Sequence, residues 1–289
     1  METVVAGLAA GGLFALVAHG FVLTFLTTNT LNFALGEFMV IAAFLALGVG
    51  SWDWLPAAAK IVLVVSVVGL LGALTYRLIV LPFTTGGHND SRWLLSTVGL
   101  SFVVINLTTN GEGVLRQPLA YGGRDGVVEV LGVRLQAQQG LIAVAAVAVS
   151  IALVMLTRLT GLGGRMRAVS EDAEAASLMG ISPKGIGMIA YGLAMSVVAL
   201  AGVLWAAEVG ASPQLGEPLL VGAFAAGIIG GLTSLWGPLL GGAIYGTVTA
   251  AVGESAGLMW GEVSGLLVVL VVLMFRPEGL LGRRVDVKL

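Results

Sequence analysis

Apolar residues run along this chain in long, nearly unbroken blocks separated by short polar stretches, without the alternation of an amphipathic strand or the stripe of an amphipathic helix. A helix needs about 20 mostly apolar residues to cross the hydrocarbon of a bilayer. Blocks of that kind fall near 4–27, 31–49, 56–80, 93–110, 140–158, 184–207, 217–232, 236–253 and 257–275. The pattern predicts an all-α integral membrane protein, a polytopic helical bundle of about 8 to 10 spans. The seventh and eighth blocks are short and interrupted by GGLTSLWGPLLGG, so they also suit broken half-helices. Residues 1–289 are expected to form one transmembrane domain, with a polar segment at 164–182 and a long connection at 111–139.

Composition narrows the chemistry. Of 289 residues 57% are hydrophobic and 10% charged, whereas a soluble domain carries roughly a quarter charged residues. The absence of cysteine excludes disulfides and thiolate chemistry, and His19 and His88 are too few for a histidine metal site. The 43 glycines suit helices whose backbones approach closely. A net charge of -2 gives no basis for a nucleic-acid partner. The first apolar run starts at Val4 behind Glu2, without a basic leader, and reads as a permanent helix. Lys60, Lys184 and Lys288 all lie outside any phosphate-binding loop, so this chain is not expected to hydrolyse ATP. Nothing pairs a nucleophile with a base, and no catalytic role is assigned.

Orientation follows from the basic residues. Ten of the 14 lie in the connection Arg77–Arg92, the segment Arg158–Lys184 and the tail from Arg276 onward. Such residues favour the cytoplasm, which puts those three regions and the C-terminus inside and makes the chain a multi-pass protein of the cell (inner or plasma) membrane. The connection Gly111–Gln139 balances Arg116, Arg124 and Arg134 against Glu112, Asp125 and Glu129, and is expected outside. Trp52, Trp54, Trp93, Trp205 and Trp260 fall near span ends, as interfacial anchors do.

The polar segment is the most informative. Ser170 suits a helix N-cap, Glu171 and Asp172 suit the first turn, and Gly180 suits a left-handed C-terminal residue, framing a helix from Glu171 to Met179. Ser182 and Pro183 then open the next span. The short helix carries Ala173, Ala175, Ala176 and Ser177, a low profile that a partner's groove can clasp. On residues alone it serves equally well as a solvated connector, with Arg165 and Arg167 drawn to anionic lipid.

GRMRAVSEDAEAASLMGIS, taken with NFALGEFM at 32–39, GIIGGLTSLWGPLLGGAIYG at 227–246 and RPEGLLG at 276–282, resembles the permease subunit of branched-chain amino acid type ABC transporters. The resemblance implies that Arg165–Ile181 is a coupling helix docking on a separate ATPase subunit, with Arg167, Ser170, Glu171, Asp172, Glu174, Ala175, Ser177, Met179 and Gly180 as the ATPase-coupling residues. It implies a second permease subunit, identical or homologous, and an extracytoplasmic solute-binding protein as partners. No cofactor is expected on this chain, ATP and magnesium belonging to the ATPase subunits. The expected function is ATP-driven import of small amino acids, branched-chain ones or related amides and urea, by alternating access.

Polar groups within spans are functional candidates by default. Asn29, Asn32 and Gly36 are spaced to share a face if their stretch is helical, and Glu37 follows at once. By the resemblance this stretch lies beside the substrate path, although Leu35 stands where the family more usually carries His or Gln. Asn32 and Glu37 equally suit capping and helix ties. Asn106 joins them as a candidate path residue, and His19 suits a helix-to-helix hydrogen bond. Gly227, Gly230 and Gly231 serve either close packing or an unwound backbone beside the path. Glu208 and Glu217 suit solvated positions or an external docking face, and Glu254 and Glu262 an external turn. Two rival classes remain open: a stand-alone channel or secondary carrier for a small neutral solute, and a membrane scaffold that transports nothing.

Overall fold

The computed structural model describes residues 2–83, 92–112, 115–119, 126–130 and 133–282. The helices are α1 (Glu2–Thr28), α2 (Leu35–Gly50), α3 (Ala57–Thr75, prolonged by a π turn at Tyr76–Val80 and a 3-10 turn at Leu81–Phe83), α4 (Arg92–Glu112), α5 (Ala137–Leu159), α6 (Leu162–Glu171), α7 (Ala173–Leu178), α8 (Pro183–Val209), α9 (Glu217–Gly230), α10 (Gly237–Ala256) and α11 (Leu258–Phe275). Each of the nine expected spans coincides with a helix. Six are long and apolar enough to cross a membrane, and Leu35–Gly50 and Glu217–Gly230 are shorter apolar helices.

Among the described residues the helical architecture has one local exception. Within the connection expected at 111–139, β1 (Val127–Val130) pairs antiparallel with β2 (Val133–Gln136), Val127 facing Gln136 and Val130 facing Val133. The basic residues Arg283, Arg284 and Lys288, and His88 with most of the Arg77–Arg92 connection, lie outside the described residues.

The chain packs as two compact units, neither of them continuous in sequence: Met1–Val22 with Asp125–Met155 and Val221–Leu289, and Leu23–Arg124 with Leu156–Leu220. The second unit is organised by α8, a 27-residue helix flanked by α2 and α3. Small residues set that contact. A side chain at Gly202 would meet the Met39 backbone at 2.6 Å, and one at Gly72 would meet the Tyr191 carbonyl at 2.9 Å. In the first unit α1 meets α10 through glycines in the same way, a Cβ at Gly7 falling 2.7 Å from the Thr247 backbone. Where lipid gives apolar side chains no reason to prefer one another over acyl chains, such close approach is what holds helices together.

Candidate functional site

Between α1 and α2 the chain leaves helical geometry. Asn29 takes a left-handed conformation, φ 51°, which asparagine tolerates better than most residues. Residues 29–34 are irregular, so the helical stretch on which Asn29, Asn32 and Gly36 would share a face does not form. Irregular backbone within a membrane protein must be packed against other protein groups, and three sets of contacts hold this segment in place.

Asn29 pairs with Ser170 in both directions: its Nδ2 donates to the Ser170 carbonyl at 2.8 Å, and the Ser170 hydroxyl donates to its Oδ1 at 3.1 Å. Next comes a chain of hydroxyls whose direction is set by its last acceptor. Thr28 donates to the Thr24 carbonyl at 2.8 Å, so Thr30 donates to Thr28 at 2.6 Å and the Tyr191 phenol donates to Thr30 at 2.9 Å. Tyr191 is fully buried on α8, its ring 4.9 Å from that of Tyr76. Finally, Gly36 in the first turn of α2 lies against the backbone of Gly216, where a Cβ would sit 3.3 Å away. Thr28, Thr30 and Tyr191 are not legible as a group in the sequence, because ordinary hydroxyl residues acquire this relation only when α8 is laid beside the break.

Asn32 is fully buried, and its Oδ1 accepts the Ala34 N–H at 2.9 Å. That bond fixes the amide's orientation and leaves Nδ2 pointing the other way. Asn32 Nδ2 and Glu37 Oε2 are the buried side-chain atoms without a hydrogen-bond partner among the described residues. Asn106 does not join this site. It lies exposed on α4, its Oδ1 accepting from Asn110 one turn away at 2.8 Å.

The expected coupling helix divides in two. Helix α6 runs through Ser170 and Glu171, the chain turns extended at Asp172 (φ -158°, ψ 102°), and α7 follows. The N-cap is therefore Asp172, not Ser170: its carboxylate accepts the N–H groups of Glu174 and Ala175 at 2.9 Å each. The stretch before it stays helical because Leu162, Met166 and Val169 recur on one face and bury it. Met166, Val169, Ala176, Ile186 and Ala190 form one apolar cluster that fastens α6 and α7 to the start of α8.

Gly180 (φ 81°) ends α7 as expected, with Gly180 N–H on the Ser177 carbonyl and Ile181 N–H on the Ala176 carbonyl at 3.0 Å each. This paired closure needs a left-handed residue, and Ile181 and Ala176 then meet within the apolar cluster. Ser182 caps α8 through Gly185 N–H at 3.2 Å. Arg167, Glu171, Glu174, Ala175, Ser177 and Met179 all face outward, and the tip is apolar: Leu178 is 90% and Met179 78% exposed.

In the other unit, the glycines of α9 serve close packing. Gly231 (φ 100°) lies 2.5 Å, measured from a built Cβ, from Gly282 N, and Gly230 abuts Gly237. The segment 276–282 closes the helix: Leu280 N–H donates to the Ile229 carbonyl at 2.9 Å and Leu281 N–H to that of Gly230 at 3.0 Å. Two of the quoted sequence motifs thus form one joint. Gly227 stands apart from it, a side chain there meeting only Leu232 and Ala18. His19 is a tie of the kind expected, Nδ1 donating to the Ala15 carbonyl at 2.6 Å while Nε2 lies 3.0 Å from the Ser150 hydroxyl and 3.2 Å from the Leu235 carbonyl.

At the Val209 end of α8, a cleft of about 320 Å³ is lined by Arg116, Trp205, Val209, Ser212, Gln214 and Pro218. Its wall is fixed by a backbone bridge between Gln117 and Ala211, two bonds of 2.8 Å. Glu217 opens α9 beside it, exposed. Among the described residues, no group of three or more acidic or histidine side chains is placed to hold a metal.

These features define a multi-span helical membrane protein. The family described as branched-chain amino acid transport system / permease component matches residues 3–275, and the chain belongs to it. It is similar to the high-affinity branched-chain amino acid transport system permease protein LivH of Escherichia coli K12, 28% identical over 96% of this chain and 94% of that one. It is likewise 28% identical to BraD of Pseudomonas aeruginosa, over 98% of this chain and 96% of the other. Among solved structures, PsaBC from Streptococcus pneumoniae in complex with Fab aligns over 96% of this chain and 91% of its own, with a TM-score of 0.48 and 14% identity.

Proposed function

We propose that this chain is the membrane-spanning permease of an ATP-driven importer of small amino acids, with branched-chain ones or related amides as substrates. The observation that carries the reading is the α6–α7 unit. It is fastened to α8 by a buried apolar cluster, presents Leu178 and Met179 outward, and is hydrogen-bonded through Ser170 to Asn29 at the chain break. A small helix so anchored moves as one body with α8, so a push at its tip reaches the break through contiguous contacts. The proposed partners are two ATPase subunits that clasp α7 and supply ATP and magnesium, a second permease subunit, and an extracytoplasmic solute-binding protein. The distribution of basic residues supports a cytoplasmic position for α6, α7 and the C-terminus. ATP binding would bring the docked helices together and switch the side to which the path opens.

The test is co-purification from native membranes in mild detergent, followed by ATP hydrolysis and uptake assays in proteoliposomes. The expected result is an ATPase subunit bound to the wild-type chain and lost, by at least about tenfold in affinity, from Leu178→Glu/Met179→Glu. Both side chains are exposed, so the substitution leaves the fold intact. Solute uptake by the isolated chain without ATP would overturn the proposal in favour of a stand-alone channel or carrier.

A further inference from the structure

Of the six helices long and apolar enough to cross a membrane, α4 has the lowest mean hydropathy and is the least buried. The two properties conflict, because polar side chains are costly against acyl chains. By contrast α11 exposes Leu266, Leu270, Val271 and Met274 over its last turns, a face suited to lipid. Helix α4 exposes Asn106 and Asn110 instead. Its 21 residues span about 31 Å, close to the thickness of the hydrocarbon, and Asn106 sits about 9 Å in from the end at Glu112. Asn110 Nδ2 donates to Asn106 Oδ1 at 2.8 Å, and among the described residues Asn106 Nδ2 and Asn110 Oδ1 make no hydrogen bond.

The exposed side is also spaced for another helix. Leu95, Gly99, Phe102 and Asn106 recur at intervals of four, three and four, the repeat of the seam in a left-handed helix pair, and Asn110 continues it one turn on. Leu95 is 74% and Phe102 71% exposed, whereas Gly99 has open space where a Cβ would stand. Phe102 is thus a knob, and Gly99 beside it a hole. Thr97, on the opposite side, is fully buried, so that side is the one packed on this chain. Two copies in one bilayer lie parallel, with like residues at like depth. The stripe then meets itself, knob beside hole and amide donor beside amide acceptor, and an Asn in such a seam fixes its register.

We infer that the exposed face of α4 is a contact with α4 of a second copy of this chain, closed by the amides of Asn106 and Asn110. The inference rests on the importer reading for its role: it names the surface that holds the second permease subunit and makes that subunit identical to this one.

The chain has no cysteine, so single cysteines report alone. Leu95→Cys, Phe102→Cys and Asn106→Cys are each treated with a short bis-maleimide in native membranes. A covalent dimer of this chain is expected from all three, and from neither Val104→Cys nor Ile105→Cys, which lie off the seam. No dimer at the seam, an even yield around the helix, or a product joining this chain to a different polypeptide overturns the contact. In lipid vesicles, Asn106→Leu/Asn110→Leu should weaken self-association about tenfold, read by energy transfer over a dilution series. The substitution makes the face more apolar and leaves the buried side of α4 untouched, so unchanged or tighter association overturns the contact too. Recovery of an ATPase subunit with the wild-type chain is scored on the same membranes. An ATPase without the seam pattern refutes only the contact, and the seam pattern without an ATPase refutes the importer reading itself.

Discussion

The chain interrupts its helices in two comparable places, and they are finished differently. At the α9–α10 joint the helix ends are closed by backbone: Leu280 and Leu281 cap the carbonyls of Ile229 and Gly230, Ser234 N–H reaches the Gly231 carbonyl at 3.2 Å, and Gly237 N–H reaches that of Ser234 at 3.1 Å. At the α1–α2 break the ties run through the side chains of Asn29, Thr30 and Asn32, and two buried side-chain atoms have no partner among the described residues. A break closed by backbone bonds is held whatever its side chains do. One that keeps a buried donor and acceptor unspent carries a cost of about 1–3 kcal/mol for each such group, and the difference separates a joint that tolerates no added volume from one that tolerates a change of polarity.

The largest effect is expected where the satisfied joint is overfilled. Gly231→Ala forces a side chain onto φ 100° and drives its Cβ to 2.5 Å from Gly282 N and 2.9 Å from the Glu278 carbonyl. Strain of about 1–3 kcal/mol and overpacking of similar size should together cost about 4 kcal/mol. Thermal unfolding in detergent should show the loss. An unchanged midpoint would mean that the 276–282 segment moves aside at little cost.

A smaller effect tests what lies at the other end of the α1–α2 break. Asp172→Ala removes the cap of α7 and should cost about 1 kcal/mol, read as faster amide exchange across Ala173–Leu178. Ser170→Ala should leave that exchange alone, because its hydroxyl serves Asn29 rather than a helix end. The reverse pattern would restore Ser170 as the cap.

The history of that cap shows what a sequence can and cannot disclose here. The nine helices that coincide with expected spans are written in apolar blocks, and Gly180, Ser182 and Pro183 mark their turn by intrinsic preference alone. The segment SED offers two residues that cap equally well, Ser170 and Asp172. The choice between them is made by burial of Met166 and Val169 against α8, which extends α6 one residue past Ser170. Asn29 is similar: its type suggests polarity within a span, but its partner stands 141 positions away. The glycines at 230–231 and 276–282 were visible as separate motifs, and only the fold presses them into one joint. Local chemistry was legible, whereas pairings across the chain were not.

The smallest change in stability should come from the residue that holds the unspent donor. Asn32→Leu leaves the buried Ala34 N–H without its acceptor, at about 1–3 kcal/mol, and in exchange removes a buried donor whose desolvation is uncompensated at about the same cost. The two terms oppose each other in a site that is already apolar around Leu35 and Phe38, both buried. The variant should therefore unfold within about 1 kcal/mol of the wild type, on either side of it. Denaturant midpoints measured in one detergent would read the difference. A destabilisation above about 2 kcal/mol would show that Asn32 holds the break together after all, and the contrast between the satisfied joint and the unspent one would disappear with it.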